Sequence, residues 1–127
     1  ESILMHDVEH VIKILNHAKN LGLSIAIDDF GTGFSSLSYL HHFPITIVKI
    51  DRSFIDHMFV EHTNMAIIKS VENLAVGLNM KVVAEGIETE EQYAKLKELG
   101  INYGQGYLLS KPMPKDKVLN YLAENNL

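Results

Sequence analysis

Strand-like and helix-like segments alternate along almost the whole chain, and this alternation limits the fold more than any other feature. Apolar residues recur at three- and four-residue spacing over 8–21, which predicts a helix that Gly22 ends. Short apolar runs predict four strands, at 23–27, 45–50, 81–84 and 105–109. Periodic segments predict further helices at 35–42, 65–78, 89–99 and 115–125. Because such alternation forms right-handed βαβ crossovers, the sequence predicts an α/β fold with a parallel sheet covered by helices.

The composition fits one continuous globular unit. The chain has 127 residues, is 46% hydrophobic and carries a formal net charge of -5. Its basic residues do not cluster beside aromatic ones, so we expect no binding to a nucleic-acid polymer. The absence of cysteine and of an apolar stretch long enough for a membrane helix favours a cytoplasmic domain, although the parent protein could be anchored through other parts. Since the sequence begins with Glu1 rather than Met, we expect it to start inside a longer protein.

The first predicted strand runs into two adjacent carboxylates, Asp28 and Asp29, and a glycine-containing turn. Where a strand gives way to a loop, both side chains can turn toward one cation. Two crowded carboxylates would raise each other's pKa unless a positive charge stood between them, and a divalent metal supplies that charge. The alternative is a strand end followed by a turn, with Asp29 capping the next helix.

Polar side chains also follow the other predicted strands. These residues are Lys49, Asp51, Glu85, Glu88 and Gln105. Each one has a structural alternative, such as an extended lysine, a cap or a backbone hydrogen bond. However, functional groups of parallel α/β folds gather at the carboxyl ends of the strands. Acidic, basic and amide groups on one rim suit metal-assisted attack on a phosphodiester, and their hard oxygen ligands suit Mg or Mn.

Four sequence segments resemble the EAL domain family, the cyclic di-GMP phosphodiesterases. The segments are 26–36 (AIDDFGTGFSS), 48–54 (VKIDRSF), 82–88 (VVAEGIE) and 105–107 (QGY) with Lys111-Pro112 following. Their order and spacing also match the family. The resemblance covers essentially the whole chain.

The resemblance implies a (β/α)8-like barrel that hydrolyses cyclic di-GMP to linear pGpG with two divalent cations, Mg or Mn. It implies that Asp28 bridges the cations and that Asp29 and Glu85 bind the second one. Lys49 would hold the attacking water, and Glu85 could also act as the base. Gln105 would complete the floor of the site.

Further positions take roles by the same carry-over. Asp51 falls on a catalytic-site position and Glu88, with Gln105, on a substrate-binding one. Residues 30–36 match a mobile loop that links the metal site to dimerisation, and Glu1 matches the glutamate that anchors this loop. A homodimer is therefore expected, and sensory or synthase domains could be fused to the parent protein.

Parts of the family pattern are absent from this chain. The Glu-Ala-Leu signature does not occur in this sequence. The asparagine ligand that the family carries on the strand after that signature does not occur either. We therefore expect residues 1–127 to be a single partial EAL domain, the carboxyl-terminal half of the barrel, that is inactive alone. The complete domain is expected to be a cyclic di-GMP phosphodiesterase. The alternative is a catalytically inactive module that senses cyclic di-GMP or binds a protein.

Overall fold

A computed structural model describes residues 2–30 and 42–125. Within these ranges the helices and strands, in chain order, are α1 (Ser2–Asn20), β1 (Ala26–Phe30), β2 (Ile47–Ile50), α2 (Arg52–Asp56), α3 (His62–Gly77), β3 (Lys81–Glu85), α4 (Glu90–Glu98), β4 (Tyr103–Gln105) and α5 (Lys115–Glu124). Three predicted features lie wholly or mostly outside the described residues. They are the loop anchor Glu1, the loop 30–36 apart from residue 30 and the helix 35–42 apart from residue 42. None of the helices in the described ranges is both long and apolar enough to cross a membrane.

The four strands form one parallel sheet in the order β1-β2-β3-β4. Each strand therefore neighbours the strand that precedes it in the chain. The carboxyl ends of all four strands lie at the same edge of the sheet. The predicted parallel α/β fold is confirmed.

The two central strands supply the middle of the core. Val48 and Ile50 of β2 and Val82 and Ala84 of β3 are all at most 2% exposed. Helices α2 and α3 cover them with buried residues that include Ile55. Apolar side chains on alternate positions of both strands are removed from water, which is the expected arrangement for a parallel sheet beneath helices.

Several predicted helix ends are confirmed. Gly22 follows α1 with a φ of +85°, a conformation in which a side chain would be strained. At the start of α4, the Thr89 hydroxyl accepts a hydrogen bond from the backbone N–H of Gln92, and the Gln92 side chain accepts one from the N–H of Thr89. This is the predicted capping box.

Two predicted strands are displaced. β1 covers 26–30 rather than 23–27, because its pairing with β2 begins at Ala26 and leaves Leu23 59% exposed. β4 covers 103–105 rather than 105–109. The chain turns after Gln105 because the Leu108 N–H donates to the Ile87 carbonyl at 3.0 Å, which draws residues 106–109 onto the loop that follows β3.

Candidate functional site

Asp28 and Asp29 lie in an irregular stretch of β1. The pairing of β1 with β2 shifts register between Ile27 and Phe30, and Asp29 has a φ of +51°. Neighbouring side chains of a regular strand point to opposite faces, but a left-handed residue breaks that alternation. Oxygens of Asp28, Asp29 and Glu85 all lie within 4.8 Å of one another. The two adjacent carboxylates are thus brought together with a third from β3.

The ammonium group of Lys49 lies between two of these carboxylates. Its Nζ is 2.9 Å from Asp28 Oδ1 and 2.5 Å from Glu85 Oε1. Hydrogen bonds to Glu85 and then Asp28 raise the pKa of Lys49, while the hydrogen bond from Lys49 lowers the pKa of Asp28. The contacts follow from the topology, since β2 lies between β1 and β3 and carries Lys49 one position before its end.

Gln105 contacts the same carboxylate from β4. Glu85 and Gln105 are paired residues on neighbouring strands, and the Gln105 side-chain amide donates to Glu85 Oε1 at 3.0 Å. One oxygen of Glu85 therefore accepts from both Lys49 and Gln105. Two fixed donors orient the Glu85 carboxyl group, whose side chain is only 15% exposed.

Asp51 occupies the N-cap position of α2. Its carboxylate accepts hydrogen bonds from the backbone N–H of Ser53 at 2.9 Å and from the Ser53 hydroxyl. These bonds lower the pKa of Asp51. Its negative charge opposes the lowering of the Asp28 pKa, and its position directly after β2 lies at the same edge of the sheet as Lys49. In this geometry Asp51 fixes the turn from β2 into α2.

Glu88 lies in the loop between β3 and α4 and pairs with Arg52, the first residue of α2. Arg52 Nη2 is 2.7 Å from Glu88 Oε1, and Arg52 Nε is 2.9 Å from Asp56 Oδ2. The stem of Arg52 lies against Gly86, where an added Cβ would come within 2.3 Å of Arg52 Cγ. Sequence reasoning missed Arg52, although its position directly after the β2 end and Asp51 marked it as a rim residue.

A pocket of about 590 Å³ opens beside the cluster. Its wall includes Arg52, Glu88, Gln105, Tyr107 and Lys111. Lys111 Nζ lies 5.5 Å from the centre of the Tyr107 ring, within cation–π range. Two cationic groups beside an aromatic ring can accommodate a ligand that combines negative charge with a flat ring system.

The donor set of the cluster fits a divalent cation. Asp28, Asp29 and Glu85 offer hard carboxylate oxygens, the ligand type that Mg and Mn prefer. Lys49 neutralises only part of the charge of these three carboxylates. Each of the predicted residues Asp28, Asp29, Lys49, Glu85 and Gln105 therefore lies in one cluster, with Asp51 beside it and Glu88 on the wall of the adjoining pocket.

Comparison with known proteins identifies many relatives. The sequence matches the EAL domain family over residues 1–112. It is 44% identical over 123 residues to the bifunctional diguanylate cyclase/cyclic di-GMP phosphodiesterase MucR of Pseudomonas aeruginosa, covering 97% of this chain and 18% of MucR. It is also 44% identical over 103 residues to the cyclic di-GMP phosphodiesterase RocR of the same organism, covering 81% of this chain and 26% of RocR. The chain thus spans about a quarter or less of these relatives.

Solved structures agree with the fold. A complex of the PaMucR phosphodiesterase with c-di-GMP is 44% identical, with a TM-score of 0.82 over 90% of this chain and 46% of that chain. The EAL domain of Mycobacterium smegmatis DcpA is 39% identical, with a TM-score of 0.87 over 98% of this chain and 56% of that chain. The sheet, the motifs at its strand ends and these relatives together show that the chain belongs to the EAL domain family.

Proposed function

We propose that residues 1–127 form the carboxyl-terminal half of an EAL barrel that hydrolyses cyclic di-GMP to linear pGpG. The observation that carries this proposal is the cluster of Asp28, Lys49, Glu85 and Gln105, one from each strand, joined by direct contacts beside a pocket. Relatives named as cyclic di-GMP phosphodiesterases support the choice of substrate. The half-barrel is supported by the coverage of 46% of the PaMucR chain.

The proposed cofactors are two divalent cations, Mg or Mn. Asp28 would be shared between them, and Asp29 and Glu85 would hold the second one. Bound cations lower the pKa of water and offset the charge of the phosphodiester. The three carboxylates converge within 4.8 Å, so this chain supplies several oxygen ligands in one place.

The proposed roles of the chain's own groups follow from their contacts. Lys49 has a raised pKa and is a full cation at neutral pH, so its ammonium can orient the attacking water and stabilise the negative charge that develops on oxygen. Glu85 accepts the proton of that water, and Gln105 holds the Glu85 carboxyl in place. The water oxygen bonds to phosphorus as the bond from phosphorus to the 3′ oxygen breaks, and the leaving 3′ oxygen takes up a proton from solvent, which yields the linear product with a free 3′ hydroxyl.

The proposed substrate contacts lie in the pocket beside the cluster. Glu88 and Gln105 are on its wall, and a carboxylate and an amide can recognise the edge of a guanine base by hydrogen bonds. Asp51 stays a proposed catalytic-site residue that acts by holding the turn after Lys49. Glu1 stays a proposed loop anchor on the basis of the family pattern alone.

The test is hydrolysis of cyclic di-GMP by the full-length protein with Mg or Mn, with the linear product separated by chromatography. Asp28→Asn should abolish turnover, because it removes a charged ligand. Glu61→Gln makes the same change of charge at an exposed residue whose side chain does not cap α3, and should retain activity. Binding of cyclic di-GMP by the wild type without turnover at saturating metal would contradict the proposal and support a sensing module.

The proposed assembly is a homodimer, with sensory or synthase domains fused in the full-length protein and a cytoplasmic location. The outer strands of the described sheet, β1 and β4, each pair on one side only, and unpaired strand edges favour association. Light scattering of the full-length protein tests the dimer. The 127-residue chain alone should associate or aggregate and show little hydrolysis.

A further inference from the structure

Gln92 connects two segments that are far apart in the sequence. Its Oε1 accepts hydrogen bonds from the backbone N–H of Glu88 at 2.9 Å and of Thr89 at 3.1 Å. Its Nε2 donates to the backbone carbonyl of Ile55 at 3.2 Å, across 37 residues of chain. Of these three side-chain bonds, a capping box requires only the one from the N–H of Thr89. The bonds with Glu88 and Ile55 are therefore not needed to begin α4.

The two connected segments carry the two partners of one ion pair. Glu88 belongs to the loop that Oε1 holds, and Arg52 belongs to the same helix as Ile55, which Nε2 holds. The Arg52–Glu88 pair is about half exposed, at 53% and 41%, so solvent screens it and it cannot by itself fix the loop against α2. The buried amide of Gln92, 7% exposed, makes the fixed connection beneath it.

Close packing limits the other ways in which the loop could be held. Gly86 lies under the Arg52 side chain, and Gly106 lies against the Ile87 backbone, where an added Cβ would be 2.1 Å from the carbonyl oxygen. The loop is thus enclosed between α2 and the turn after β4. A shift at Glu88 would change the pocket wall that Arg52, Glu88 and Gln105 share.

We propose that Gln92 is a positioning residue for substrate binding, which sets the distance between Arg52 and Glu88 on the pocket wall by holding both of their backbone segments. The inference rests on the proposed function for the identity of the ligand. It predicts an effect on nucleotide affinity and KM rather than on the catalytic groups, because the hydrogen bonds of Gln92 go to Glu88, Thr89 and Ile55 and not to Asp28, Lys49 or Gln105. Its role does not depend on a charge of its own.

The experiment measures the Kd of cyclic di-GMP by calorimetry in metal-free buffer, and KM and kcat with Mn, for the full-length protein and three variants. Gln92→Met removes all three hydrogen bonds at similar volume and should weaken Kd and raise KM about tenfold, with kcat changed less than about threefold. Gln92→Glu keeps an acceptor for Glu88 and Thr89 but loses the donor to Ile55. Its log Kd should lie at least halfway back from the Gln92→Met value to the wild-type value.

The matched control is Leu96→Val, a buried residue on the same helix whose apolar side chain makes none of the hydrogen bonds that hold the loop at Glu88. It should lower the melting temperature without changing Kd. Amide exchange at Glu88 and Thr89 should become faster in Gln92→Met and stay unchanged in Leu96→Val. Equal weakening of Kd by Leu96→Val, or an unchanged Kd in Gln92→Met, would overturn the proposal.

The design separates this inference from the proposed function. A wild-type protein that binds cyclic di-GMP without hydrolysing it would contradict the phosphodiesterase assignment, while the Kd series would still test Gln92. A wild-type protein that does not bind cyclic di-GMP would overturn both.

Discussion

Lys49 Nζ lies 2.5 Å from Glu85 Oε1, a contact between neighbouring parallel strands. The same ammonium is 2.9 Å from Asp28 Oδ1. It therefore holds together two carboxylates that would otherwise repel each other at the edge of the sheet. The geometry of the cluster thus depends on one lysine, and the removal of that lysine should be measurable at Asp28.

Lys49→Met should raise the pKa of Asp28 toward its usual value. The hydrogen bond from Lys49 lowers that pKa at present, so the wild-type carboxylate stays ionised to a lower pH than an isolated aspartate would. Carbon-detected NMR titration of the aspartate carboxyl groups measures the change. Lys95→Met, which removes a partly exposed lysine paired with Glu98, is the control and should leave the pKa of Asp28 unaltered.

Lys49→Ala should lower kcat more than nucleotide affinity. An ammonium that acts on the attacking water contributes in the transition state, so we expect a loss in kcat of about 10²-fold or more. The Kd for cyclic di-GMP should change by less than about threefold. Stopped-flow turnover and calorimetry give the two values. Unchanged turnover with sharply weaker binding would instead identify Lys49 as a substrate clamp.

Asp51→Ala should destabilise the protein by about 0.5–2 kcal/mol at neutral pH, because α2 loses its N-cap. Hydrogen bonds from Ser53 lower the folded-state pKa of Asp51 below the unfolded value, so this contribution is complete above about pH 3.9 and is lost as the pH falls through the folded pKa. Urea unfolding of wild type and variant between pH 7 and pH 3 measures the difference. A gap that stays constant over this range would refute the charge-dependent part.

Gly106→Ala should destabilise the protein by about 1–3 kcal/mol, because the new Cβ would lie 2.1 Å from the Ile87 carbonyl oxygen and 2.2 Å from its nitrogen. Backbone cannot move aside as a flexible side chain can. Gly77→Ala is the matched control, since an added Cβ meets no atom within 4 Å and alanine favours the last turn of α3. Thermal unfolding should show opposite shifts for the two variants. A tolerated Gly106→Ala would show that the loops after β3 and β4 can separate.

Local sequence signals predicted the elements whose cause is local. The capping box at Thr89 and the end of α1 at Gly22 depend on residues within a few positions, and both are confirmed. The boundaries of β1 and β4 were wrong because they depend on partners elsewhere: β1 begins where Ala26 meets Ile47, and β4 ends where the chain turns onto Ile87. The apolar pattern alone assigned residues 23–25 to β1 and residues 106–109 to β4, and both segments lie outside the strands.

At the candidate site, too, sequence reasoning predicted some contacts and missed others. Functional groups of parallel α/β folds gather at the carboxyl ends of the strands, and this expectation grouped Asp28, Lys49, Glu85 and Gln105. The structure brings these side chains into contact. The Arg52–Glu88 ion pair and the Gln92–Ile55 hydrogen bond join residues 36 and 37 positions apart, and they depend on how α2 packs against the loop after β3. No periodicity or spacing in the sequence reports that packing.

The left-handed backbone of Asp29 determines which substitutions can report on its carboxylate. Alanine at this position would remove the proposed metal ligand and also strain the backbone at a φ of +51°, so a lost activity would combine two causes. Asparagine tolerates this region far better and removes only the charge. An alanine scan would therefore overstate the importance of the Asp29 carboxylate relative to that of Asp28, and a comparison of the two aspartates is sound only between their asparagine variants.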